Sequence, residues 1–154
     1  MIFIKRLTLV FITAVIVCGC GGGKVAVQPE FTLEANAEID GAPYTAEITL
    51  NKNGTLCATM VDQNGLSGLC YTYNDGEETL SYNGLVLPVA DNPKITSFAK
   101  VFARILQKCQ NGDYIRYVGG CPVYEGDGYV LYFNDQGYPQ RLEGGGILAE
   151  FTIK

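Results

Sequence analysis

The chain contains no histidine and no tryptophan, and its 11 lysines and arginines are outnumbered by 16 aspartates and glutamates. Without histidine, no side chain has an unperturbed charge change near neutrality, so Ser-His-Asp and Cys-His nucleophile pairs and most zinc sites drop out. Enzymes built on paired carboxylates or on a lysine base survive that filter. The shortage of positive charge excludes a second class of function. Nucleic acid and anionic lipid headgroups are bound through Lys/Arg patches that release counterions, and a net charge of −5 repels both. A long apolar run is missing too. The stretch from Leu7 to Val17, about eleven residues, spans about 16 Å against a hydrocarbon core of about 30 Å, too short for a stable membrane helix.

What that stretch does form is an export signal. Lys5 and Arg6 supply a positive start, Leu7 to Val17 the apolar core, and Gly19 the small residue required before a cleavage point. Val17-Cys18-Gly19-Cys20 resembles the lipobox of bacterial lipoproteins, with a branched aliphatic residue three places before the cysteine. Cys18 is the poorer acceptor, because β-branched Val17 stands where a small residue is wanted. An ordinary secretory signal is the alternative. The resemblance implies a signal peptide over 1–19, lipidation of Cys20 and a lipid-anchored protein on the extracytoplasmic face of the cell membrane. Two acyl chains, at about 0.8 kcal/mol per buried CH₂, hold where one holds only marginally. Cleavage removes Lys5 and Arg6, taking the net charge to −7, and leaves 135 residues, enough for one domain with a real core. Gly21-Gly22-Gly23 opens a flexible tether over 20–30, and 31–154 form a single domain.

Four cysteines follow the anchor: Cys57, Cys70, Cys109 and Cys121. On the oxidising side of a membrane, sequential pairing is favoured, Cys57 with Cys70 and Cys109 with Cys121, since each pair closes a short loop around a turn signal. A loop of about 14 residues gains roughly 3 kcal/mol in the chain-entropy estimate. Free, buried thiols are the alternative. Spacings this wide lack the close Cys-x-x-Cys pairs of zinc ribbons, and no metal or other cofactor is implied.

From Phe31 the chain alternates. Phe31, Leu33, Ala35, Ala37 and Ile39 are apolar between polar neighbours; after Asp40-Gly41-Ala42-Pro43, so are Tyr44, Ala46, Ile48 and Leu50, which predicts a hairpin with one wet face. Further strands are expected over 55–61, 69–73 and 79–89, broken at Asp62-Gln63-Asn64-Gly65, Asn74-Asp75-Gly76 and Asn83-Gly84. Asp91-Asn92-Pro93 then sets up a helix to about residue 110, with Ile95, Phe98, Ala99, Phe102, Ile105, Leu106 and Cys109 on one face and Asn111-Gly112 as its stop. Strands resume over 114–118, 128–133, 140–143 and 147–153. The expected fold class is α+β: a curved antiparallel sheet of about eight to ten strands with one amphipathic helix covering the concave face.

That order resembles the LolA/LolB/LppX-like lipoprotein-carrier family. The echoes lie in the stretches Phe31–Ile39, Gly65–Leu69, Leu80–Leu85 and Tyr129–Leu142. The resemblance implies a half-barrel around an apolar concavity. The chain is shorter than a typical carrier, lacks the helix before the first strand, and has no residue matching a carrier's functional position.

Two functional readings follow, neither of them catalytic. If the half-barrel stays open, Phe98, Phe102, Ile105 and Leu106 with Val86, Leu131 and Phe133 line a pocket for a hydrophobic ligand or lipid; if the helix packs down, the same residues are core. The alternative is a surface interaction or structural lipoprotein using the acidic outer faces and the ten tyrosines to meet a protein partner. Asp75, Glu77 and Glu78, and separately Glu125 and Asp127, lack Ca²⁺-loop spacing and read as solvated turns. The glycine runs 119–120 and 144–146 lack the context of a phosphate loop and read as bends that curve the sheet.

Overall fold

The computed structural model describes residues 24–61, 67–87, 89 and 94–154, with only the backbone for 94–97. The signal peptide over 1–19, Cys20, the turn Asp62-Gln63-Asn64-Gly65 and the helix start Asp91-Asn92-Pro93 lie outside the described residues. The strands in chain order are β1 (Phe31–Ile39), β2 (Ala42–Leu50), β3 (Leu56–Met60), β4 (Cys70–Asn74), β5 (Glu77–Tyr82) and β6 (Leu85–Leu87), followed by helix α1 (Lys94–Gln110). Then come β7 (Ile115–Val118), β8 (Cys121–Gly126), β9 (Tyr129–Phe133), β10 (Pro139–Gly144) and β11 (Ile147–Ile153).

All eleven strands form one sheet, in the order β6-β5-β4-β3-β2-β1-β11-β10-β9-β8-β7. Two meanders run outward from a central pair of the first and last strands, and α1 joins their outer ends. The pairing at the centre is antiparallel and in register, Ala35 standing between Ala46 of β2 and Phe151 of β11. The fold class therefore differs from the expected α+β half-barrel of eight to ten strands. Among the described residues it is one open antiparallel sheet of eleven strands with a single 17-residue helix, largely all-β. Two glycine-bearing turns account for the larger strand number. Gly119-Gly120, expected as a bend, is a hairpin turn that adds β8, and Asn83-Gly84 divides the 79–89 stretch into β5 and β6.

Both turns belong to a recurring device. At Asp40-Gly41, φ is +49° and +82°, the two-residue turn whose twist matches that of the flanking strands. Aspartate tolerates the first position and glycine takes the second without steric cost, so Asp-Gly and Asn-Gly recur between strands.

Alternation puts one face of the sheet inside. Leu33, Ala35, Ile48, Leu56, Leu80, Leu131, Leu142 and Ala149 are fully or nearly fully buried in one cluster with Phe98, Phe102, Ile105 and Leu106 of α1. The helix lies against β4 and β1. Small residues on the central strands leave depth that the helix phenylalanines fill, and Phe102 stacks on Phe151 with ring centroids 4.7 Å apart. Burying each of these rings contributes about 1.5–3 kcal/mol. The helix stops where expected. The Gly112 N–H donates to the Cys109 carbonyl at 3.0 Å and the Asp113 N–H to the Lys108 carbonyl at 2.9 Å, a Schellman closure with Gly112 at φ +79°. Among the described residues no helix is long and apolar enough to cross a membrane.

The described part of the tether does not hang free. The Val25 N–H donates to the Gly120 carbonyl at 3.1 Å and the Gln28 N–H to that of Gly137 at 3.0 Å, while Val27 packs against the core. The 20–30 stretch expected as flexible is thus fastened across the β7–β8 and β9–β10 turns from Val25 onward.

Candidate functional site

Six of the seven expected pocket residues do come together. Phe98, Phe102, Ile105, Leu106, Leu131 and Phe133 are all buried in the same apolar cluster, with Phe98 and Phe102 stacked at 6.0 Å. Val86 is not with them; it stands 75% exposed. Register explains the difference. On β5 Leu80 points inward, so its partner Leu87 does too, and Val86, opposite Ser81, points to solvent. A cleft of about 420 Å³ opens beside the last turns of α1, lined by Tyr73, Asn74, Gln107 and Gln110 among others. Of the expected pocket residues only Leu106 reaches it, and its lining is mixed rather than apolar.

Of the eight large apolar side chains exposed among the described residues, five stand at the two ends of the sheet order, the others being Val61, Leu148 and Ile153. Leu85 and Val86 stand on β6; Tyr117 and Val118 stand on β7, with Tyr114 just before it. Among the described residues each of these strands pairs on one side only, β6 with β5 and β7 with β8, which leaves a row of backbone donors and acceptors facing outward. The β7 edge is partly covered, since the Lys24 ammonium sits 4.9 Å from the centre of the Tyr117 ring. Among the described residues the β6 edge is the barer of the two. Val86 was expected in the pocket and the other four were not singled out from the sequence; for Val86 the signal was the inward Leu80, from which parity across a two-residue turn follows.

Of the acidic turn residues, Glu78, Glu125 and Asp127 are matched to cations. Lys100 Nζ meets Glu78 Oε1 at 2.5 Å, and Arg116 Nε donates to Glu125 Oε2 at 2.8 Å. Lys108 pairs with Asp127, which also accepts from the Tyr124 hydroxyl at 3.3 Å, and the Lys108 ammonium lies 5.2 Å from the centre of the Tyr114 ring. The hydrogen bond with Lys108 lowers the Asp127 pKa, and the same bond raises that of Lys108. This cluster ties the end of α1 to the β8–β9 turn. Among the described residues no three Cys, Asp or Glu side chains are gathered as a metal site. Tyr71 is different: its hydroxyl is buried and, among the described residues, makes no geometrically formed hydrogen bond, while burial first, then the charge and close approach of the Glu78 carboxylate, raise its pKa.

All four described cysteines are free thiols. Cys57 and Cys70 lie on the outer face of β3 and β4, diagonal across the pairing of Cys57 with Thr72 and of Thr59 with Cys70, and their Sγ atoms are 3.1 Å apart. The Thr72 hydroxyl is 3.7 Å from one sulfur and 3.9 Å from the other. Partial burial, then the Cys70 thiol, raise the Cys57 pKa. Cys109 and Cys121 are not joined. Cys109 belongs to the buried stripe of α1, where desolvation pushes its thiol up to about 12, whereas Cys121 opens β8.

In comparisons with protein-family models, with curated proteins and with solved structures, nothing matches the chain. The resemblance to the lipoprotein carriers therefore rests on strand-and-turn patterns alone.

Proposed function

We propose that this chain is a non-catalytic, lipid-anchored protein of the extracytoplasmic face of the cell membrane, and that it works by presenting a sheet edge to a protein partner. The anchor is read from Val17-Cys18-Gly19-Cys20. One observation carries the choice of surface over interior: six of the seven side chains expected to line a lipid pocket are packed on one another, while the seventh, Val86, stands in water with Leu85 on an edge strand. An extended segment of a partner could add to that edge by main-chain hydrogen bonds and cover the two apolar side chains.

The hydrophobic-ligand reading is the weaker one, since a ligand would have to displace Phe98 and Phe102 from a stacked core. Metabolic labelling with palmitate tests the anchor; label should be lost on Cys20→Ala, and undiminished label would remove lipidation of this cysteine. A photo-cross-linking residue at Val86, introduced in the organism that makes the protein, should yield one discrete protein adduct. No adduct there, together with a co-purifying lipid in native mass spectrometry, would reverse the preference.

A further inference from the structure

We infer that Cys57 and Cys70 are a dithiol placed to close, by thiol–disulfide exchange, into a cross-strand bond on the outer face of the sheet, while Cys109 and Cys121 stay thiols. The inference goes beyond the proposed function and does not depend on the anchor. Three observations converge on the pair. Its sulfurs are 3.1 Å apart, so about 1 Å of approach completes a bond of about 2.0 Å. Both side chains are half-buried on the outer face, within reach of a reagent, unlike Cys109 in the core. The Thr72 hydroxyl lies near both sulfurs and can donate to whichever one ionises.

The oxidant is a disulfide, carried by a protein or by a small molecule. The thiolate of one cysteine attacks it, forming a mixed disulfide and releasing one thiol; the second cysteine, deprotonated, attacks the mixed disulfide and releases the other. Cys57 and Cys70 together lose two electrons and two protons, and the oxidant becomes two thiols. A reducing dithiol reverses each step.

The chain allows a clean readout. No lysine or arginine lies between Lys52 and Lys94, so trypsin leaves both cysteines on one peptide, 53–94, while Cys109 falls in 109–116 and Cys121 in 117–141. The reduced full-length protein is incubated, folded, with oxidised glutathione, quenched with an alkylating agent and digested. Peptide 53–94 should be lighter by two hydrogens and carry no alkyl group, while 109–116 and 117–141 are alkylated separately. After reduction, peptide 53–94 should take two alkyl groups. In Cys57→Ser the mixed disulfide cannot resolve, and Cys70 should hold a single glutathione. The inference is overturned if wild-type Cys57 and Cys70 are both alkylated, if they end as glutathione adducts, or if Cys109 is joined to Cys121.

Discussion

A Cβ placed on Gly137 would stand 1.9 Å from the carbonyl oxygen of Ala26, so the β9–β10 turn and the N-terminal segment meet backbone to backbone. Gly137 also adopts φ +84°, where a side chain is strained in any surroundings. On one side of this contact the Gln28 N–H reaches the Gly137 carbonyl, and the Gln28 side-chain amide donates to the Gln136 carbonyl at 2.7 Å. Val25 is the fifth residue after Cys20, at most about 17 Å away along a fully extended chain. If Cys20 is lipidated, that end of the sheet is held close to the bilayer.

Gly137→Ala should therefore release the segment before it harms the sheet. Amide exchange at Val25 and Gln28 should speed by about tenfold or more, local opening being the cheapest response to the clash. Strand amides at Ala35 and Ala149 should keep their protection. Unchanged exchange at Gln28 would show that the contact does not hold the segment.

Tyr71→Phe should leave stability unchanged or raise it by up to about 1 kcal/mol, because the buried hydroxyl it removes has no hydrogen-bond partner among the described residues. Urea midpoints at equal slope measure this. A loss of more than about 1 kcal/mol would mean that the hydroxyl is satisfied after all, and Glu78, whose charge raises the Tyr71 pKa, would be the group to examine next.

How far the fold was legible depended on how unequal the two faces of each strand are. In β1, buried Phe31, Leu33, Ala35, Ala37 and Ile39 alternate with Thr32, Glu34, Asn36 and Glu38, so the strand, its inward face and the following hairpin could all be read. In β8 the alternation fails. Pro122, Val123 and Tyr124 are consecutively buried, one of them a proline, and nothing in that stretch has period two. The helix was legible through its stripe from Phe98 to Cys109. Whether that stripe encloses a space depends on the depth left by small residues such as Ala35 and Ala149 on strands far apart in the chain. Val86 was misplaced because three residues are too few to display a parity. Pairing of Cys109 with Cys121 was inferred from separation along the chain, which does not register that a helix points one of them into the core.

The Lys108–Asp127 pair should give stability a dependence on pH with a definite sign. Asp127 is held below the ordinary aspartate value of 3.8, so its contribution is present above that value and is lost as pH falls through the folded pKa. Lys108 is held above the ordinary lysine value of 10.5, so its contribution is present below that value and fades as pH rises through the folded pKa. Between those limits wild type should melt above Asp127→Asn, and the two melting curves should converge in acid. Both side chains are partly in solvent, so the gap should shrink with added salt. A gap independent of pH would assign the effect of the variant to the turn rather than to the charge.

Phe102→Ala decides between a core and a container. Phe102 is fully buried and stacks on Phe98 and on Phe151, with alanines on the facing strands, so neighbouring side chains can collapse only partly into the space it leaves. In a filled core its truncation should cost about 3–5 kcal/mol, read from urea unfolding, and create a void able to take up a small apolar molecule such as benzene or xenon. Wild type should take up none. If instead the interior holds a lipid, wild-type protein should lose stability on delipidation, and Phe102→Ala should weaken lipid retention more than it weakens the delipidated fold. The two outcomes are opposite in the wild-type protein, so delipidation of the native chain is the measurement to make first.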